Sequence, residues 1–444
     1  MDATLLVDHQ PLGSPDGASL VRVRALLTLR GDAPPADRRP PLALAFVLDR
    51  SGSMAGERLE AARQAAAHAI ARLHPADVVS AVAFDDAVLE VAAPAPLAHH
   101  PTLGAQLLGI EAGGSTNLSG GWLRGRHHLQ AAAAMLRDAP GASRRILLLT
   151  DGHANAGITD RDQLVALARQ ARVDGIGTTT IGVGDGYDDD LLRAMADAGG
   201  GNAWYIERAD QSQDVFAEEL GNLLSVSAQG VGVTLTAHPA VRTVRARSTW
   251  PATTTTHDGA PVVSFDLGDL YASEPKPLLV ELLVDRDVLG DAAVARLTVR
   301  ADVLRPDGSI ESRTLHLPLA ASLEAQEALH PEVEAAVRLA EAAEAREEAA
   351  RRQRDGDIEG AAFLMACTVQ RLTDDLDDVA PEAQELLRAQ ADDLTALRAQ
   401  YEAGRVSELD AKYQMQRAYN ARRGKRSYDA AITRRRPEPD DDVS

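Results

Sequence analysis

The sequence predicts an α/β fold: a doubly wound, mostly parallel sheet inserted in an antiparallel β-sandwich and followed by an α-helical region. Three textures along the 444 residues predict it. Residues 41–226 alternate apolar, strand-like runs with helical patterns, which calls for a parallel sheet covered on both faces. Residues 227–320 break into short, often alternating segments separated by Gly, Pro and Asp, and the same texture occupies residues 4–30. Residues 322–424 are rich in Ala, Glu and Arg and read as helix almost throughout.

Taken in order, residues 1–38 are assigned to the sandwich. Leu20-Val21-Arg22-Val23-Arg24 alternates apolar and basic residues, and arginine on one face does not suit a strand buried on both sides. The alternative is a loose N-terminal extension. The α/β domain spans 39–226. Its buried parallel strands are Leu42–Leu48, Val78–Phe84, Ile146–Thr150 and Thr178–Val183. Val88–Ala93 reads as a short antiparallel edge strand. The intervening helices are Glu57–Leu73, with Leu59, Ala62, Ala66, Ile70 and Leu73 on one stripe, then Asn117–Arg137, Asp160–Arg172, Asp188–Ala198 and Asp210–Val226. Asn or Asp at their openings suits N-caps. The rest of the sandwich, 227–320, takes strands at Val231–Ala237, Val241–Ser248, Val262–Leu267, Leu278–Asp285, Ala292–Leu304 and Ile310–Leu317. Residues 321–425 form a hairpin or bundle of two or three antiparallel helices, broken at His330-Pro331, Asp355-Gly356-Asp357 and Pro381. Ile358, Ala362, Met365, Val369 and Leu372 make one stripe, and Leu387, Leu394, Leu397 and Tyr401 another. Residues 426–444 set Arg434-Arg435-Arg436 beside Asp440-Asp441-Asp442 and read as a mobile charged tail.

Composition narrows the function. With 46 basic against 66 acidic residues the net charge is −20, which argues against nucleic-acid binding through a basic face. There is no apolar run long enough for a membrane span. Met1-Asp2-Ala3-Thr4 does not open a signal peptide, and the single cysteine, Cys367, permits no intrachain disulfide, so the expected location is cytoplasmic. Only three of the basic residues are lysines, Lys276, Lys412 and Lys425, which reads as codon bias.

The chemistry sits in Phe46-Val47-Leu48-Asp49-Arg50-Ser51-Gly52-Ser53, an apolar strand that ends in D-x-S-x-S just before a helix. Ligands of open parallel sheets bind at the carboxyl ends of the strands. Two later segments belong at that same edge. Gly113-Gly114-Ser115-Thr116-Asn117 is a Gly-rich turn leading into a helix, and Ile146-Leu147-Leu148-Leu149-Thr150-Asp151-Gly152 is a second buried strand ending in a carboxylate. All the donors are oxygens, which suits Mg²⁺, Mn²⁺ or Ca²⁺ rather than Zn²⁺.

On these residues the segment from 41 to about 226 resembles the von Willebrand factor A domain with a complete metal-ion-dependent adhesion site. The matching residues are Asp49, Ser51 and Ser53, then Thr116, then Asp151. The resemblance implies a Rossmann-like fold and a metal, Mg²⁺ or else Mn²⁺ or Ca²⁺, held directly by Ser51, Ser53 and Thr116 and directly or through water by Asp49 and Asp151. It implies an open coordination position taken by a Glu or Asp of a protein partner. The order of domains is similar to bacterial cytosolic proteins of this family that carry an added sandwich and helical region, some of which work with MoxR-type AAA+ ATPases or in stress systems. The implied role is an adaptor or scaffold, not an enzyme. The competing readings are a metal-assisted hydrolase at the same site, a secreted or surface adhesin, and a purely structural metal closed by a further ligand such as Glu57.

Other features read as structure. His99-His100 and His127-His128 are adjacent pairs, poorly placed to chelate one ion, and are expected to be exposed. His153 reads as a surface-loop residue near the metal rim. Gly182-Val183-Gly184-Asp185-Gly186 lacks dinucleotide-binding spacing, and neither a P-loop nor a nucleophile elbow is present. Cys367 is expected in a helical core, and Asp374–Asp378 as a solvated linker.

Overall fold

A computed structural model describes residues 1–425 apart from 13–18, 33–39, 140, 185–186, 207–210, 273, 306–308, 321–328 and 377–378. The expected charged tail, 426–444, therefore lies outside the described residues, as do Asp185, Gly186, Asp377 and Asp378. The elements in chain order are β1 (Asp2–Leu12), β2 (Leu20–Arg30), β3 (Ala43–Asp49), α1 (Glu57–Ile70), β4 (Val78–Phe84), β5 (Val88–Pro96), α2 (Leu103–Leu108), α3 (Leu118–Met135), β6 (Arg144–Thr150), α4 (Arg161–Val173), β7 (Ile176–Val183), α5 (Asp189–Ala198), β8 (Gly200–Ile206) and α6 (Ser212–Leu224). There follow β9 (Val226–Ala237), β10 (Val241–Ala246), β11 (Ala252–His257), β12 (Ala260–Tyr271), β13 (Lys276–Asp285), α7 (Arg286–Leu289), β14 (Ala295–Leu304), β15 (Ile310–Leu319), α8 (Pro331–Arg354), α9 (Ile358–Thr373), α10 (Pro381–Glu402) and α11 (Glu408–Ala421).

The central sheet has the order β5-β4-β3-β6-β7-β8. Its strands pair in parallel except β5, which runs antiparallel at the edge as expected. Every residue of β3, β4 and β7 is buried because both faces are covered. Leu44, Phe46 and Leu48 pack with α1, α2 and α6, while Ala45 and Val47 pack with α3, α4 and α5. Asn117, Asp160 and Asp188 each accept a backbone N–H and cap α3, α4 and α5.

The sandwich consists of a sheet β1-β2-β13-β10 against a sheet β11-β12-β9-β14-β15. Period-two residues meet between them: Val23, Ala25 and Leu27 from one sheet, Val233, Leu235, Phe265 and Val299 from the other. Since β2 pairs with β1 on one side and with β13 on the other, the α/β unit is inserted in the sandwich. Arg24 on β2 is buried rather than solvated. It bonds Asp8 at 2.7 and 2.6 Å and reaches Glu334 on α8 at 2.7 Å.

The last region has four helices where two or three were expected. The predicted stripes face inward, with Met365, Leu372, Leu387, Leu394, Leu397 and Tyr401 all in one core. Three readings are corrected. Cys367 is exposed, one position off the buried stripe of α9. His128 is buried, its Nε2 2.8 Å from Glu90 on β5, because α3 covers that strand. Strand β8, which opens Gly200-Gly201-Asn202, and strand β11, four threonines on an exposed edge, carry too little apolar pattern to register as strands.

Candidate metal centre

Strands β3 and β6 are neighbours in the sheet but are separated in the chain by β4, β5 and three helices. The order reverses at this pair, and their carboxyl ends frame a crevice. Asp49 ends β3 and Asp151 follows β6, and both are fully buried. Ser51 and Thr116 are 1% exposed, whereas Ser53 opens to solvent.

Local bonds fix the loop after β3. The Ser51 backbone N–H donates to Asp49 Oδ1 at 2.9 Å, and the Ser51 and Ser53 hydroxyls lie 3.2 Å apart. The Thr150 hydroxyl donates to Asp49 Oδ2 at 2.6 Å and accepts the Gly152 N–H at 2.9 Å. The Gly-rich loop is tied to the first by Gly52 N–H to Gly114 O at 2.9 Å and Gly113 N–H to Arg50 O at 2.7 Å. A Cβ on Gly113 would lie 1.9 Å from Asp85 Oδ2, so only glycine fits there. Thr116 is held from the third loop: its N–H donates to Asn155 Oδ1 at 2.6 Å, and its carbonyl accepts from Asn155 and Ala156 at 3.1 Å each.

Two facts describe the electrostatics. Burial pushes the Asp49 carboxyl up to about 6, and the Asp151 carboxylate adds to the rise against the bonds from Ser51 and Thr150. Asp151 Oδ1 accepts the His153 N–H at 3.3 Å, but Asp151 Oδ2 is buried without any hydrogen-bond partner. A buried carboxylate oxygen left unpaired is costly. Two carboxylates, one with an orphaned oxygen, at one strand edge with the Ser51 and Ser53 hydroxyls and with Thr116 on the adjoining loop make a donor set that suits a hard divalent cation. The chemistry therefore fits the ion that the sequence resemblance implies. His153 is exposed at the rim, and Glu57 is exposed on the first turn of α1.

Sequence reasoning missed the residues that support the site. Asp85, directly after β4, is 3% exposed; its Oδ2 takes Arg50 at 2.7 Å and the Gly114 N–H at 3.2 Å. Thr150 and Asn155 have the roles given above. The legible signal was position, since Asp85 and Thr150 also fall at carboxyl ends of buried runs. Among the described residues, no three His, Cys, Asp or Glu side chains cluster as metal ligands. Among the same residues, no helix is long and apolar enough to cross a membrane.

Comparison with known proteins bears on the fold. Residues 43–218 match the von Willebrand factor type A domain. The protein sll0103 of Synechocystis is 27% identical over 342 residues, 76% of this chain and 78% of its own length. YfbK of Escherichia coli is 28% identical over 207 residues, but only 35% of its length is covered. The porcine inter-alpha-trypsin inhibitor heavy chain H1 is 30% identical over 185 residues, 20% of its length. Among solved structures, a von Willebrand factor type A protein of Catenulispora acidiphila aligns with 90% of this chain and 96% of its own at a TM-score of 0.59 and 17% identity. The ArnB paralog VWA2 of Sulfolobus acidocaldarius aligns with 95% and 99% at 0.55 and 12% identity. At these identities the structures share the fold.

Proposed function

From a chain that carries a von Willebrand factor type A domain over residues 43–218, we propose that Asp49, Ser51, Ser53, Thr116 and Asp151 hold a divalent cation and that the protein is an adaptor, not an enzyme. The observation that carries the reading is the buried, unpartnered Asp151 Oδ2 at the same strand edge as Asp49 and the Ser51–Ser53 hydroxyl pair. Ser51, Ser53 and Thr116 supply neutral oxygens, and two carboxylates balance the ion's charge. Ser53 lies at the open side, where an acidic residue of a protein partner completes the coordination. Mg²⁺ is the favoured ion, with Mn²⁺ or Ca²⁺ able to substitute. An AAA+ ATPase of the MoxR type that presents such a residue is one partner of this chemistry, and the setting is cytoplasmic.

The test is capture of partners from native lysate on immobilised protein in Mg²⁺ and in EDTA, with Thr116→Ala alongside and calorimetric titration of Mg²⁺ and Mn²⁺ into each protein. The expected result is metal binding to the wild type, at least tenfold weaker in Thr116→Ala, and a protein retained only by the metal-loaded wild type. Thr116→Ala with full metal affinity would overturn the coordination scheme. Phosphatase and esterase activity of the metal-loaded protein, lost in Asp49→Ala, would replace this reading with metal-assisted hydrolysis.

A further inference from the structure

We propose that Lys412, on the last helix, is a positioning residue for the metal loop and that the helical region is thereby coupled to the state of that site. The proposal rests on the metal reading above. It starts from α11, which is buried along nearly its whole length although its sequence is polar: Lys412, Gln414, Gln416, Arg417 and Asn420 are all 7% exposed or less. The helix touches β8, the edge strand of the central sheet, at Ala203. Gln416 Nε2 donates to the Ala203 carbonyl of that strand at 2.9 Å, and the Tyr419 hydroxyl donates to Asp197 at 2.5 Å.

The N-terminal end of α11 reaches the carboxyl edge of the sheet. Lys412 Nζ donates to the Tyr187 carbonyl at 2.9 Å and lies 5.4 Å from the centre of the Tyr187 ring. That ring stacks on Tyr205 of β8 with centroids 4.7 Å apart, so Tyr187 is fixed from both sides. The next residue touches the site. Asp188 N–H donates to the Asp151 carbonyl at 2.9 Å. The contact has no slack: a Cβ on Gly152 would sit 3.1 Å from Asp188 Cβ and 3.2 Å from its nitrogen. Close-packed contacts of this kind pass a displacement on rather than absorb it. A second strut comes from α8, whose Arg354 lies 3.5 Å from Asp189. The segment Tyr187–Asp189 is thus bonded on one side to the backbone that carries Asp151 and on the other to two helices of the C-terminal region.

Coupling is reciprocal. If Lys412 holds the loop in the form that binds the ion, then the ion must also hold α11 on the sheet. The experiment measures both directions. Mn²⁺ affinity is titrated for wild type, Lys412→Met and Asp151→Ala, and amide hydrogen exchange across residues 408–421 is followed with and without Mn²⁺. The expected results are a three- to tenfold weaker affinity in Lys412→Met and exchange in α11 of the wild type slowed at least twofold by the metal. Should Lys412→Met fail to fold, Arg354→Gln, at a part-exposed position, is expected to weaken affinity two- to threefold, and the exchange measurement needs no variant. Metal binding to the wild type that is lost in Asp151→Ala, but unchanged in the helix variants and without effect on α11 exchange, would overturn the coupling and leave the metal site standing. Equal binding to wild type and Asp151→Ala would overturn both.

Discussion

The metal edge and the docked helix α11 are both polar and both buried, yet they are built over very different distances along the chain. At the metal edge, Asp85, Asp49 and Asp151 each accept a backbone N–H from two residues further on. On α11 and just beyond it, the partners of Lys412, Gln416, Tyr419 and Arg423 in the central domain lie 225, 213, 222 and 226 residues away. Each loop at the first site therefore fixes part of its own geometry, and the rest is bonded within the central domain, as from Thr150 to Asp49 over 101 residues, whereas the second exists only once the C-terminal region has docked on that domain. The metal edge should lose function readily and stability little. The helix should do the reverse.

The largest effect that tests this contrast lies at Asp197, which accepts both Tyr419 Oη and Arg423, the latter at 2.6 Å. Arg423 is 3% exposed and stacks on Trp250 and Tyr419 at 4.7 and 4.4 Å. Asp197→Ala would leave that guanidinium buried without its carboxylate, at a cost of about 3 kcal/mol. Thr116→Ala at the metal edge should stay within about 1 kcal/mol of wild type in metal-free buffer. Urea unfolding of the two variants measures the difference, and equal costs would break the comparison.

The same contrast explains what the sequence showed. The parallel strands were legible because β3, β4 and β6 are mostly apolar runs and β7 joins β-branched threonines to Ile181 and Val183, and the inserted topology because Arg22 and Arg24 alternate with valines. Asp49, Ser51, Ser53, Thr116 and Asp151 stood out because motif and strand end coincide. Buried Lys412 and Gln416 could not be told from solvated residues, since a helix read alone shows an amphipathic face only when its partner is apolar. His128 was hidden for the same reason, as its partner Glu90 sits on another element. The rarity of lysine looked like codon bias, but all three lysines are buried: Lys276 lies 4.7 Å from the Trp250 ring, Lys412 beside Tyr187, and Lys425 4.3 Å from Trp204.

Lys276 supplies a smaller, pH-dependent test at the sandwich side of that junction. Burial lowers its ammonium to about 7, with Lys425 and Arg423 adding repulsion against the pull of Glu274. An unfolded lysine titrates near 10.4. Between these values the unfolded chain binds more protons than the folded one, so stability rises with pH across that window and is flat with respect to this group below it. The expected slope is about 1 kcal/mol per pH unit between pH 7.5 and 9. Denaturation of wild type and Lys276→Met at both ends of the interval isolates it. A difference between the two proteins that does not change with pH would mean that Lys276 keeps its proton in the folded state, held by Trp250 and the Leu267 carbonyl.

The smallest effect distinguishes docking of α11 from its contact with the metal loop. Tyr419→Phe removes one hydrogen bond to Asp197, which still accepts Arg423, and should cost about 1 kcal/mol. Tyr419 lies two helical turns from Lys412, at the end of α11 that faces Asp197 rather than Tyr187. The loss should therefore appear in urea unfolding and leave Mn²⁺ affinity within a factor of two of wild type. Lys412→Met, with a comparable loss of stability, should change affinity as well. Equal weakening of metal binding by both variants would mean that seating of the whole helix governs the site, and the contact at Tyr187 would lose its special place.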